Sequence, residues 1–308
     1  MEYRSLGRSD LRISTIGFGC MSLGTDEAAA TKLIHRALGA GVNYFDTADL
    51  YDKGLNESMM GRILRGKREE VVLATKVGNQ WRPDGSGWDW NPRKEYIIKA
   101  VEESLSRLQT DRIDLYQLHG GTMEDPIDET IEAFELLRQQ GKIRYYGISS
   151  IRPAVIREYS RRSRIISVML QYSLLDRRAE EHCLDELREQ GIGVLARGSV
   201  AKGLLAGKPV SAYAGGRERG AVYLDHSIAE VEGAARVVAE LSGSNRSAAQ
   251  TALQYVLYNS AITSAVVGLR TVVQLEDAVG ALEAPWLTAI ENQALRGAVR
   301  VNYYDKHL

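Results

Sequence analysis

Short apolar runs alternate with helical patterns along nearly the whole chain, and this alternation limits the fold more than any other feature. The runs are Ile13–Gly19, Val42–Asp46, Val71–Lys76, Ile113–Leu118, Tyr145–Ser149, Ile165–Leu170, Gly193–Ala196 and Ile262–Val267. Several are apolar without a break, as strands buried on both faces of a parallel sheet should be. Between them, Asn91-Pro92 places an N-cap before a proline at the first helical position. Ile97, Ile98, Val101, Leu105 and Leu108 then share one helical face. Asp125-Pro126 repeats the signal before Ile127, Ile131, Phe134 and Leu137, and Gly141 follows where a left-handed residue would end the helix. Eight strands alternating with helices, with no Pro- or Gly-rich linker, predict a single (β/α)8 TIM barrel domain over residues 1–308. A doubly wound open sheet is the other α/β solution. The first turn, Gly17-Phe18-Gly19-Cys20-Met21, lacks the G-x-G-x-x-G that such a fold places there. Val222–Ser247 and the tail after Gly280 read as extra helices in the C-terminal half.

Charge and cysteine usage exclude several function classes. Lys plus Arg number 39 and Asp plus Glu 40, a net charge of −1, which argues against a general nucleic-acid binder. The densest basic cluster, Arg157, Arg161, Arg162 and Arg164, reads as a solvated helix end. Cys20 and Cys183 are the two cysteines, too few for a disulfide framework, and neither has metal-ligand spacing, so no metal is expected. Cys20 reads as a packed small residue. The opening Met1–Ser14 carries no apolar core, and no apolar run approaches the roughly 18 residues of a membrane helix. A cytoplasmic protein without membrane contact is expected, and a monomer, since no long apolar surface segment stands out.

A barrel's active site lies at the C-terminal ends of its strands. The second run ends at Asp46, with Tyr51 in the turn beyond; the third ends at Lys76; the fourth leads to His119. Taken singly, each has an ordinary reading: a helix cap, a core aromatic, a surface lysine, a satisfied histidine. Together, at one end of three consecutive strands, they suggest a site, because polar groups closing apolar strands cost desolvation unless they pair.

These residues carry a resemblance. Gly41-Val42-Asn43-Tyr44-Phe45-Asp46-Thr47-Ala48, then Tyr51, Glu57 and Gly61, resemble the signature of the aldo-keto reductase superfamily. Ala74-Thr75-Lys76, Ile113–His119 and Gly141–Ser149 match further blocks in order, and Leu6–Leu11 resembles the hairpin that plugs the barrel in that family. The resemblance runs from about Arg4 to Ala281 and is closest to the bacterial NADPH-dependent branch. It implies a catalytic tetrad. Tyr51 is the general acid that protonates the carbonyl oxygen. A free tyrosine titrates near 10, and a close Lys76 would lower that value. Asp46 keeps Lys76 protonated, and His119 orients the substrate oxygen.

The resemblance also implies an NADPH/NADP cofactor. Gly19, Met21 and Asp46 would lie along it. Ser149, Ser150 and Met169 would meet the carboxamide, and Tyr172 would stack on the nicotinamide. The loop from Arg197 to Leu204, with Gly198 and Gly203, would cradle the pyrophosphate. Gly268, Arg270, Gln274 and Asp277 would hold the adenosine end, with Arg270 on the 2′-phosphate. The chain departs from the family pattern in four places: Met169 for a glutamine, Ser150 for an asparagine, Arg197-Gly198 for Ser-Pro and Ala278 for an asparagine.

Three of the four tryptophans lie in the loop Asn79–Trp90. Trp81 and Trp88 are the candidates, with Tyr51 and His119, to contact a small-molecule carbonyl substrate, which predicts a preference for aromatic aldehydes. The alternative is that the tryptophans form a local cap on the rim. NADPH-dependent reduction of an aldehyde or ketone is thus the expected function. A cofactor-binding barrel acting as a redox-sensing or regulatory subunit is the alternative. A third reading makes Lys76 a Schiff-base nucleophile.

Overall fold

The structure, a computed structural model, describes residues 1–212 and 221–305. Its chain opens with an antiparallel hairpin, β1 (Tyr3–Ser5) and β2 (Arg12–Ser14). The barrel strands then alternate with helices. In order they are β3 (Ile16–Gly19), α1 (Glu27–Gly39), β4 (Tyr44–Asp46), α2 (Leu55–Ile63) and β5 (Val72–Val77). A second hairpin follows, β6 (Asn79–Trp81) with β7 (Trp88–Trp90), and then α3 (Lys94–Leu108), β8 (Ile113–Leu118), α4 (Ile127–Gln139), β9 (Ile143–Ser149), α5 (Pro153–Arg162) and β10 (Ser167–Gln171). Two short helices, α6 (Ala179–His182) and α7 (Leu184–Glu189), precede β11 (Gly193–Arg197). A small pair, β12 (Ala221–Tyr223) and β13 (His226–Ser227), leads to α8 (Ile228–Glu240) and α9 (Ala248–Tyr258). The chain finishes with β14 (Ile262–Gly268), α10 (Val272–Gly280) and α11 (Ala289–Gly297).

β3, β4, β5, β8, β9, β10, β11 and β14 close into one parallel barrel, which excludes the open sheet. All six residues of β5 and all six of β8 are buried, as the apolar runs demand. The barrel interior is packed by Tyr44, Val72, Ala74, Leu115, Ile166, Met169, Leu195 and Val266. The first hairpin adds Leu6, Leu11 and Ile13 to that cluster and so plugs the bottom. Gly7 makes this possible: it sits at φ +57°, and a Cβ there would lie 2.2 Å from the Ile166 carbonyl. α8 and α11 are the extra helices expected from the sequence.

Several boundaries differ from the sequence reading. The run Ile13–Gly19 divides at Thr15, whose N–H donates to Glu2 rather than to a barrel strand. Pro92 and Pro126 both lie outside their helices. Asn91 Oδ1 instead accepts from Arg93 N, and Asp125 turns back to Thr122 N and Trp90 Nε1. Gly141 does adopt the left-handed conformation, φ +73°. The tryptophan loop is a β-hairpin. In the basic cluster, Arg157 pairs with Glu186 and Arg162 with Glu158 and Asp128. Both cysteines are buried and free. Among the described residues no helix is long and apolar enough to cross a membrane.

Candidate active site

Side chains on a barrel strand alternate inward and outward. Tyr44, Ala74 and Leu115 point into the core, so Asp46, Lys76 and Gln117, two residues further on, form the next inward layer. Register shows that these side chains point the same way: Asp46 lies opposite inward Ala74, and Lys76 opposite Gln117. An acid, a base and an amide therefore meet at the top of the packed core.

Lys76 is 1% exposed and has three N–H donors, and all three are used. Nζ donates to Asp46 Oδ1 at 2.5 Å, to the Thr47 carbonyl at 2.7 Å and to Tyr51 Oη at 3.1 Å. The other Asp46 oxygen accepts from Gln117 Nε2 at 3.0 Å and Tyr44 Oη at 3.4 Å. Burial pushes the ammonium pKa down, but the Asp46 carboxylate and Tyr51 outweigh it, so Lys76 titrates above its usual value. A protonated, fully bonded amine is no nucleophile, which removes the Schiff-base reading. The His119 ring meets Tyr51 edge-on at 5.9 Å. Burial, then the charges of Lys76 and Arg197, depress its pKa to about 3, so the imidazole is neutral over the working pH range.

The Tyr51 turn is strained and braced. Asp52 and Lys53 are both left-handed, at φ 50° and 56°, a conformation costly for residues with a Cβ. Behind the turn, Glu57 on α2 accepts from Thr75 Oγ1 at 2.6 Å and Arg107 Nε at 2.7 Å. Gly61 lets α2 approach α3, since a Cβ there would meet the Arg107 carbonyl at 2.5 Å. Asn56 accepts from Thr47 Oγ1 and donates to the Cys20 carbonyl. Beside this brace, buried Asp49 has one oxygen without a partner, and Tyr96 Oη reaches the other at 3.5 Å. Burial, then the Glu57 charge, raises its pKa to about 8.

Asp46, Tyr51 and His119 open onto a cavity of about 1410 Å³ that runs across β9, β10, β11 and β14 to α10. Gly19, Met21, Ser149, Ser150, Met169, Arg197, Gly198, Gly203, Gly268, Arg270, Gln274 and Asp277 all line it. The backbone is left-handed at Gly198, Ala201, Lys202 and Gly203, which turns the loop after β11 tightly around the cavity wall. Arg197 Nη1 donates to Gln171 Oε1 at 2.9 Å. Ser199 Oγ is buried without a partner. Gln274 and Asp277 are already engaged, by Arg270 N and by Ser247 Oγ.

Five residues singled out in the sequence do not reach the cavity wall. Lys76 acts from behind Tyr51. Tyr172 is 1% exposed, stacks on Tyr255 and donates from Oη to Glu180, so it belongs to the layer outside the barrel. Gln171 and Arg197 line the cavity at that level instead. Leu204 is buried in the core beneath its loop. Trp81 lies under Lys53 Nζ, 5.2 Å from the ring centre, and Trp88 pairs with it across the hairpin, 48% exposed. Trp90 packs on Gly78 and Gly120 and donates to Asp125. None of these three tryptophans lines the cavity. Sequence reasoning also passed over Gln117 and Tyr44, which hold Asp46. A glutamine inside an apolar strand was the available signal for Gln117.

The aldo/keto reductase family pattern matches residues 15–300 of the chain. The chain is 48% identical over 307 residues to an uncharacterized oxidoreductase, YqkF, of Bacillus subtilis, covering 100% of this chain and 99% of that protein. It superposes with a TM-score of 0.91 on the holo form of aldo-keto reductase AKR11C1 from Bacillus halodurans, at 48% identity over 100% of this chain and 99% of that one. Glycerol dehydrogenase AKR11B4 from Gluconobacter oxydans is more distant, at 25% identity and a TM-score of 0.82, covering 96% and 94%. Barrel and plug agree with these likenesses: the chain belongs to the aldo/keto reductase family of oxidoreductases.

Proposed function

We propose that the protein reduces aldehyde or ketone carbonyls to alcohols with NADPH, using Tyr51 as the general acid. One observation carries this reading: the Tyr51 hydroxyl faces the large cavity while a buried, charged lysine donates to the same oxygen from behind. That geometry holds a proton donor at the wall of a binding site. The cavity also suits a long anionic dinucleotide. Arg197, Lys202 and Arg270 line it, and the tight loop after β11 brings backbone to its wall. Ser149 and Ser150 would hold the carboxamide, Gly198 and Gly203 the pyrophosphate, and Gly268 with Arg270 the adenosine 2′-phosphate.

The cofactor, when bound, supplies the hydride. Tyr51 gives its proton to the carbonyl oxygen and recovers one from solvent. Lys76 steadies the oxygen left behind, and Asp46, held by Gln117 and Tyr44, keeps Lys76 in place. Neutral His119 has one ring N–H with which to direct the substrate oxygen. The regulatory-subunit reading would need none of this bonding around a tyrosine. The test follows deuterium from NADPH labelled at the nicotinamide C4 into benzaldehyde. Label is expected at the alcohol carbon. Tyr51→Phe should lower kcat by about 10²–10⁴ while cofactor affinity, read by fluorescence titration, stays near that of the unaltered protein. A variant that keeps most of its kcat would remove Tyr51 from the chemistry.

A further inference from the structure

Among the described residues, arginines that leave bulk water are neutralised, with two exceptions. Among the described residues, Arg4, Arg68, Arg107, Arg112, Arg138, Arg144, Arg157, Arg177, Arg178 and Arg246 are buried or half-buried, and each lies within salt-bridge distance of a carboxylate. Arg152 and Arg197 are half-buried as well, and neither has one. Both line the cavity that holds Tyr51 and His119. A half-buried cation without a counter-charge is costly, so the missing charge is expected from a ligand. The proposed cofactor accounts for Arg197. It leaves Arg152 unexplained.

Arg152 stands just past the end of β9. Its N–H donates to Ser150 Oγ at 3.2 Å, and its Nη1 donates to the carbonyl of Gly121, two residues beyond His119. These bonds fix the guanidinium beside the loop that carries His119. Its Nε and Nη2 make no bond within the described residues. The cavity's acids are committed or exposed: Asp46 to Lys76, Asp277 to Ser247, and Asp305 on the C-terminal segment. An Nε–Nη2 edge matches the two oxygens of a carboxylate.

We infer that Arg152 binds a carboxylate carried by the substrate, so that the protein acts on aldehydo or keto acids. This rests on the carbonyl-reduction reading. The carboxylate is a handle and leaves unchanged; the carbonyl carbon takes the hydride and its oxygen the Tyr51 proton.

The experiment compares carboxybenzaldehydes with their methyl esters, using the unaltered protein, Arg152→Met and Arg152→Lys. The acid should exceed its ester in kcat/KM by about tenfold or more, mainly through KM, as a charge-assisted bond predicts. In Arg152→Met the ratio should fall to about one, and in Arg152→Lys part of it should return. Equal turnover of acid and ester by the unaltered protein overturns the inference. So does an Arg152→Met variant that loses both in the same proportion, since that makes Arg152 only a brace for the His119 loop. Calorimetric titration of benzoate into the NADP-saturated protein gives a readout without turnover. Binding weakened about tenfold in Arg152→Met supports the carboxylate site, and unchanged binding overturns it. If no carbonyl compound is reduced, the function proposed above fails, while the benzoate titration still decides Arg152.

Discussion

At the β4–β5–β8 end of the cavity the charges are closed on one another; toward β11 and α10 they are left open. Lys76 and Gln117 both donate to Asp46 inside the barrel, and Asp46, Tyr51 and His119 reach the cavity wall. Among the described residues Arg197 bonds to a neutral amide and pairs with no carboxylate, and Arg270 is exposed. The difference follows from when the counter-charge arrives. A proton donor must be poised before substrate enters, so the protein supplies both charges itself. An anionic ligand brings its own, so cations that wait for it stay unpaired.

The largest effect should come from breaking the closed end. Lys76→Met leaves Asp46 buried without its cation, and losing one partner of a buried pair costs about 3–5 kcal/mol. Denaturant unfolding should show that loss together with collapse of carbonyl reduction; a variant of unchanged stability would mean the pair is not closed as described. The open end should respond oppositely. Arg270→Ala removes an exposed side chain, so the melting temperature should hardly move. Affinity for NADPH should fall roughly tenfold to a hundredfold, while that for NADH is unchanged. Equal binding of the two cofactors by the unaltered protein would end the role given to Arg270.

Asp49 sharpens the comparison, because it is a buried acid next to the closed network but outside it. Folded, it keeps its proton to about pH 8; unfolded, it would ionise near 3.8. The unfolded chain therefore binds fewer protons between those values, and stability falls as pH rises through the window, by at most about 1.4 kcal/mol per pH unit. Asp49→Asn should flatten that decline and gain on the unaltered protein toward pH 8, as urea midpoints would reveal. Parallel profiles would show that Asp49 ionises normally. The smallest effect is expected at the rim: Trp88→Ala should change stability by less than about 1 kcal/mol and leave the aromatic-to-aliphatic kcat/KM ratio as it was. A changed ratio would return Trp88 to the substrate.

Asp46 and Lys76 were legible because a strand's end and its two-residue period are written in the order of residues, while Tyr51 and His119, beyond strand ends, were marked by the motifs around them. The resemblance put Tyr172 and Leu204 at the cofactor, but both are buried away from the cavity; they lie beyond strand ends, where no period applies and the loop path decides which way a side chain turns. Nearness to Lys76 in sequence left a substrate wall and a local cap both open for Trp81 and Trp88; in the structure Lys53 lies over Trp81, Trp90 packs on Gly120, and neither Trp81 nor Trp88 lines the cavity.

By itself the sequence determined the barrel and the layer of polar groups above the core, while its plug was implied only by the family resemblance. Burial of an apolar run and alternation along a strand are local properties, and they survive any detail of packing. Only the tertiary structure decided that Gln117 and Tyr44 hold Asp46, that Arg197 rather than Tyr172 faces the cavity, and that Arg152 stands without a carboxylate among the described residues. Each of these depends on which distant side chains share a neighbourhood, and a charge is paired or unpaired only in three dimensions.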